Sequence, residues 1–213
     1  MLKAIFFDLD GTLLDTIGDI KDALNDSLKA SGLDLAYERK DVLNFIGNGA
    51  DALMHKALGS LDNEVNFQTL KKNYLPTYEA YQRRNTYPFA GCEESLKYLQ
   101  TKYQLFICTN KPDKLAKQII AKVLPSIDFV SVDGQKDGVA PKPNPAIILN
   151  AMSKYNLKPE ECMMIGDSYP DAMTGKNAGI KVGLCLYGYG KYNEELLSLS
   201  DMTFSSPADW RKL

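Results

Sequence analysis

Five short apolar runs, at residues 4–7, 104–108, 129–132, 162–165 and 182–186, constrain this chain more than any other feature. Between the later runs lie stretches with apolar residues at spacings of three and four, such as 114–123 and 145–155, the periodicity of amphipathic helices. Strands alternating with helices imply an α/β architecture: a Rossmann-like, doubly wound parallel sheet with helices on both faces. The first run, Ile5-Phe6-Phe7, is apolar throughout, as a strand buried on both faces should be.

Residues 15–87 read differently. Ile17, Ile20, Leu24 and Leu28 mark a helix that Gly32 ends, and 52–58 and 67–84 continue the helical pattern. Pro76 is expected to kink or break the last stretch, and no strand is expected in the segment. The chain therefore divides into a core of residues 1–14 and 88–213 and an inserted all-helical domain of residues 15–87. The crossings fall at 14–16 and 87–91, where Pro88 and Gly91 mark the return.

Composition narrows the function. Hydrophobic residues at 45% and charged residues at 24% exclude a disordered chain, and a net charge of -2 offers nothing to nucleic acid or an anionic membrane. The opening apolar run is cut off at Asp8, so it does not read as a signal peptide. No apolar stretch approaches the ~20 residues of a membrane span. Cys92, Cys108, Cys162 and Cys185 show no CxxC spacing and read as small core residues in a reducing cytoplasm. His55 is the only histidine, so catalysis is expected to run on carboxylates.

In an open parallel sheet, ligands bind outside the carboxyl ends of the strands. The first strand is followed by Asp8-Leu9-Asp10-Gly11-Thr12, the second by Thr109-Asn110-Lys111, and the strand at 162–165 by Gly166-Asp167-Ser168-Tyr169-Pro170-Asp171; Lys142 stands in "APKPNP". Period-two alternation would aim Asp8 and Asp10 the same way, and adjacent buried acids repel unless something positive joins them. Asp8 and Asp167 can share a hard divalent cation such as magnesium, while Lys142, Thr109 and the amides around Gly11 hold phosphate oxygens. A carboxylate facing phosphorus can act as nucleophile. A calcium loop of the EF-hand kind needs Gly at its sixth position and Glu at its twelfth; counting from Asp8, these hold Leu13 and Asp19. Taken singly, Asp167 with Asp171 reads equally as a helix cap, and Lys142 as a solvated loop residue.

DLDGT at 8–12, the strand ending in Thr109, Lys142 and GDSYPD at 166–171 resemble, in order, the haloacid dehalogenase superfamily of phosphotransferases. The resemblance implies Asp8 as nucleophile and Asp10 as general acid and base. It implies magnesium on Asp8, the Asp10 carbonyl and Asp167. Gly11, Thr109, Asn110 and Lys142 would hold phosphate, with Thr12 and Asp171 supporting from behind. The helical insert matches the superfamily's helical cap. "CTNKP" at 108–112, "IGNGADAL" at 46–53 and "KPNPAIILNAM" at 142–152 look like the phosphoglycolate phosphatase group, in which Gly47-Asn48-Gly49 corresponds to a cap loop facing the active site.

The expectation is a cytoplasmic, magnesium-dependent phosphatase, monomeric or homodimeric, acting on a small phosphorylated metabolite, with 2-phosphoglycolate as best substrate. Its rivals are a pyrophosphatase, a nucleotide or sugar phosphatase, a phosphoglucomutase, and a non-catalytic binding module of the same fold. His55 reads as a partly exposed cap residue, and Arg83 and Arg84 as a solvated helix face able to reach an anionic substrate. Tyr187, Tyr189 and Tyr192 read as loop packing.

Overall fold

A computed structural model of the chain describes residues 1–82 and 84–213, so Arg83 lies outside the described residues. In chain order, β1 (Ala4–Phe7) and β2 (Leu14–Asp15) precede four helices: α1 (Ile17–Ala30), α2 (Arg39–Val42), α3 (Gly49–Leu58) and α4 (Glu64–Tyr81). After β3 (Tyr87–Pro88) come α5 (Cys92–Leu99), β4 (Gln104–Pro112), α6 (Asp113–Val123), β5 (Ser131–Gln135) and α7 (Ala146–Lys154). The chain continues with β6 (Cys162–Gly166), α8 (Tyr169–Asn177), β7 (Lys181–Cys185), α9 (Glu194–Ser198) and β8 (Met202–Phe204). Two compact units result, Met1–Leu14 with Pro88–Leu213, and Asp15–Tyr87.

The larger unit is built on a six-stranded sheet of order β5-β4-β1-β6-β7-β8, every pairing parallel. All four residues of β1 are buried because both faces are covered. Ile5 and Phe7 enter a core with Leu96, Ile119 and Trp210, whereas Ala4 and Phe6 enter one with Ile148 and Met152. Phe6 stacks on Phe106 of the neighbouring strand at 4.7 Å between ring centroids. From β1 the chain builds the sheet outward through β4 and β5, then returns to place β6 on the other side of β1. That reversal makes the carboxyl ends of β1 and β6 a topological switch point. Register sets Phe7 opposite both Ile107 and Ile165, so the residues just beyond them emerge at one level.

Two elements depart from expectation in this unit. β8 is an additional strand, too short and too polar at Thr203 to signal itself; its pairing with β7 and the packing of Phe204 on Gly183 define it. The strand expected at 129–132 sits at Ser131–Gln135, where β4 offers partners.

In the smaller unit, Ile17, Ile20, Leu24 and Leu28 form the buried stripe of α1, and Phe67, Leu70, Tyr74 and Tyr78 that of α4. α4 runs through Pro76 without ending there. The proline removes one N–H, that facing the Lys72 carbonyl, but buried Tyr74 and Tyr78 anchor the helix on either side. The helix stops at Tyr81, so Arg84 lies in the following turn, its guanidinium over the Tyr81 ring at 4.2 Å, rather than on a helix face.

Asp19 ties the return segment to α1. It is buried, and its two oxygens accept from the Asn85 N–H and the Thr86 hydroxyl, each at 2.7 Å. Asp19→Ala leaves both donors without this partner, at ~1–3 kcal/mol for the buried Thr86 hydroxyl and less for the part-buried Asn85 N–H. Urea unfolding should show a loss of about 2–4 kcal/mol for Asp19→Ala and a near-neutral effect for Asp22→Ala, whose contact with Asn85 is exposed.

Candidate active site

Asp8 follows β1 directly, and its N–H donates to the Ile165 carbonyl of β6, which holds the chain at the switch point. Its carboxylate is buried and meets the Lys142 ammonium, with Nζ 2.7 Å from Oδ1. Lys142 is itself buried, and Nζ also donates to the Cys108 carbonyl at 2.9 Å and to Asp171 Oδ1 at 2.5 Å. Those contacts match the three protons of an ammonium. Lys142 is thus no solvated loop residue.

The Asn110 carboxamide holds the Lys142 backbone from both sides, accepting from its N–H at 2.7 Å and donating to its carbonyl at 3.3 Å. Thr109 is buried at the same strand end, its hydroxyl accepting from the Lys111 N–H at 3.2 Å.

Asp171 caps α8. Its Oδ2 accepts from the Ser168 hydroxyl at 2.5 Å and from the N–H groups of Asp167 and Ser168, at 3.2 and 3.0 Å, while Oδ1 serves Lys142. One carboxylate therefore fixes both the start of a helix and the lysine. Asp167 Oδ1 accepts from the Thr12 hydroxyl at 2.9 Å, and Oδ2 from the N–H groups of Tyr189 and Gly190, at 2.7 and 3.1 Å.

That backbone clamp on Asp167 requires close approach. At Gly11, whose φ is +90°, an added Cβ would lie 2.6 Å from Asp167 Oδ2, and at Gly190 it would collide with the Asp167 carbonyl. The Tyr187 hydroxyl completes the loop by donating to the Thr12 carbonyl at 2.9 Å. Residues 187–190 are therefore more than loop packing. Reading the carboxyl end of β7 for close-approach glycines, as the other strand ends were read for polar groups, would have found them.

Asp8, Asp167 and Asp171 can each direct one oxygen into a volume where these atoms lie within 4.8 Å of one another. Three buried carboxylates face one buried ammonium, an excess of negative charge. Burial, then Asp171, raises Asp8 to about 6 against the pull of Lys142. Burial, Asp171 and Asp8 raise Asp167 well above the ordinary carboxylate range. Burial alone would lower the Lys142 ammonium, but Asp171 and Asp8 outweigh it and hold it above its usual value. An all-oxygen donor set carrying surplus charge fits a hard divalent cation.

The Asp8 and Asp10 side chains do not meet at one lysine, as side chains on a common face of an extended strand would. β1 ends at Phe7, so strict alternation no longer applies, and each acid has its own lysine: Asp8 has Lys142, while Asp10 accepts from Lys111 through both oxygens. Lys111 is the residue the sequence reading passed over, although it directly follows Thr109 and Asn110 at a strand end.

In the helical unit, Gly47 and Gly49 take φ of +106° and +87° and bracket Asn48 where α3 begins. His55 sits on α3, partly exposed, with Nδ1 2.9 Å from Asp62 and its ring stacked on Phe67.

The family model described as Haloacid dehalogenase-like hydrolase matches residues 5–185. A protein of Aquifex aeolicus named phosphoglycolate phosphatase is 34% identical over 213 residues, covering 100% of this chain and 96% of its own. One of the same name from Vibrio vulnificus is 32% identical, covering 95% of this chain and 91% of its own. Among solved structures, a Haemophilus somnus protein described as a predicted phosphoglycolate phosphatase superposes with a TM-score of 0.90 at 28% identity, covering 99% of this chain and 97% of its own. CbbY from Rhodobacter sphaeroides, solved with phosphate, shares the fold with a TM-score of 0.83 at 19% identity, covering 98% and 96%. With the family pattern spanning the strand ends that carry Asp8, Thr109 and Asp167, the chain belongs to the haloacid dehalogenase-like hydrolases.

Proposed function

We propose that the protein is a magnesium-dependent phosphatase that cleaves a small phosphomonoester through an aspartyl-phosphate on Asp8, with 2-phosphoglycolate as substrate. The observation that carries this reading is the buried Asp8 carboxylate, fixed against Lys142 at the switch point beside Asp167. The substrate assignment is supported by the names of the Aquifex and Vibrio relatives.

Asp8 attacks phosphorus, and the bond to the leaving oxygen breaks as Asp10 gives that oxygen its proton. Asp10 then takes a proton from water, whose oxygen attacks the same phosphorus, releasing inorganic phosphate and restoring the Asp8 carboxylate. Lys142 neutralises the phosphoryl oxygens and keeps Asp8 aimed, while the Thr109 hydroxyl donates to them. The Gly11 N–H is given to the Leu14 carbonyl at 2.9 Å, so Gly11 serves through its close approach to Asp167 rather than as a phosphate donor. Asn110 acts by setting the Lys142 backbone, Asp171 by holding its ammonium and Thr12 by holding Asp167. Asp8, the Asp10 carbonyl and Asp167 would hold magnesium, which supplies neutralisation of the phosphate charge when bound. We assign substrate discrimination to the helical unit, with Gly47, Asn48 and Gly49 as its selective loop. A cytoplasmic setting is supported by four buried free cysteines; among the described residues, no helix is long and apolar enough to cross a membrane.

Phosphate release from p-nitrophenyl phosphate should require magnesium and stop in excess chelator; no release under any condition would leave a binding module. Proton and cation compete at Asp8, whose folded value of about 6 lies above its ordinary value of 3.8. The raised value makes the metal-free fold less stable as pH rises through ~4–6, and a cation relieves that penalty. Magnesium should therefore raise Tm clearly at pH 7.5 and progressively less as pH falls below about 6; a pH-independent increment would contradict the assignment.

Asp8→Asn should abolish turnover with every substrate. Asp10→Asn should give a burst of p-nitrophenol near one equivalent of enzyme, because p-nitrophenolate leaves without a proton, followed by turnover slowed ~10²- to 10⁴-fold. An alkyl phosphate should give no burst. At the selective loop, Gly47→Leu should lower kcat/KM for 2-phosphoglycolate far more than for p-nitrophenyl phosphate; equal losses would indicate strain at its positive φ alone.

A further inference from the structure

Lys111 makes an ion pair separate from the Lys142 cluster. Its Nζ lies 2.9 and 3.0 Å from the two Asp10 oxygens; its side chain is 2% exposed, against 22% for Asp10. A buried ammonium costs free energy unless paired, so a lysine in this place needs an anion close by.

The backbone is shaped to put it there. Cys108 pairs with Asp133 and Pro112 with Gln135, so four residue steps on β4 (108 to 112) oppose two on β5 (133 to 135). The irregularity spans 109–111, and bulges of this kind re-aim side chains beside active sites. Thr109 Oγ1 holds the Lys111 N–H, and a Cβ at Gly134 would lie 2.5 Å from the Lys111 carbonyl, so β5 closes tightly on the bulge. A cation fixed at its backbone and gripping both carboxylate oxygens restricts rotation of the Asp10 side chain.

We propose that Lys111 is the positioning residue for Asp10, its buried ammonium holding the carboxylate in the orientation from which it meets the leaving oxygen. This rests on the acid–base role proposed above for Asp10. Misplacement of a reacting group by about 1 Å can cost ~10²-fold in rate. The effect should therefore fall on kcat for reactions that need the proton, and not on binding.

The test measures kcat, KM and burst rate in Lys111→Met, Lys111→Gln and Lys111→Arg, alone and with Asp10→Asn, with Tm as a folding check; Lys111→Gln substitutes if Lys111→Met does not fold. Lys111→Met should lower kcat on an alkyl phosphate ~10- to 100-fold with KM within about twofold, and leave the p-nitrophenol burst rate nearly unchanged. Lys111→Arg should restore most of the loss. Added to Asp10→Asn, Lys111→Met should cost nothing further, because the group it aims is already disabled. A p-nitrophenol burst rate that falls as far as the alkyl-phosphate rate, additive losses in the double variant, or a rise in KM alone would overturn the proposal; the last would make Lys111 a substrate contact. If Asp10→Asn shows the leaving-group split and the Lys111 variants do not, only this inference fails. If Asp10→Asn shows no split, the acid–base reading itself fails.

Discussion

The arrangement at the switch point depends on one buried ammonium. Lys142 reaches Asp8, Asp171 and the Cys108 carbonyl at once, and so joins β1, β4 and the start of α8 through a single nitrogen. Removing it would leave two buried carboxylates facing each other with no cation, which costs far more than a hydrogen bond. The ammonium offsets only part of the charge, since Asp167 stands beside the same group. What remains is a buried site of surplus negative charge whose all-oxygen donors fit a hard divalent cation.

Around this centre the backbone comes unusually close. Asp167 is gripped by the Thr12 hydroxyl and by two consecutive amides of the loop after β7, and glycines at 11 and 190 make the approach sterically possible. Amide donors carry no side-chain rotamers to freeze on holding a carboxylate, which is the logic of preorganised sites. The helix cap at Asp171 works similarly: the interaction that starts α8 also orients the lysine. Fold and site draw on the same hydrogen bonds here. Substitutions at Asp171 should therefore move stability and activity together.

The two lysines divide the acids of the opening loop. Asp8 is enclosed with Lys142, while Asp10 is less buried and pairs with Lys111. Separate partners give two carboxylates two residues apart different surroundings, which suits the attacking and proton-carrying roles proposed for them. The helical unit keeps its own order through apolar stripes on α1 and α4 and through the buried Asp19, which pins the returning chain.

By itself the sequence determined the α/β pattern, the helical insertion and the strand ends carrying Asp8, Thr109 and Asp167, because burial imposes periods that a linear reading detects. It also singled out Lys142, though on order and resemblance more than on local pattern. Tertiary structure alone decided the rest. β8 is a strand because β7 pairs with it, and α4 passes Pro76 because buried tyrosines flank the gap. Lys111 meets Asp10 only through a bulge that local pattern does not announce, and Tyr189 and Gly190 reach Asp167 across 22 and 23 residues of chain. Periodicity reports which face of an element is buried. It carries no information on which distant polar atoms the assembled sheet brings within 3 Å, and that pairing makes the site.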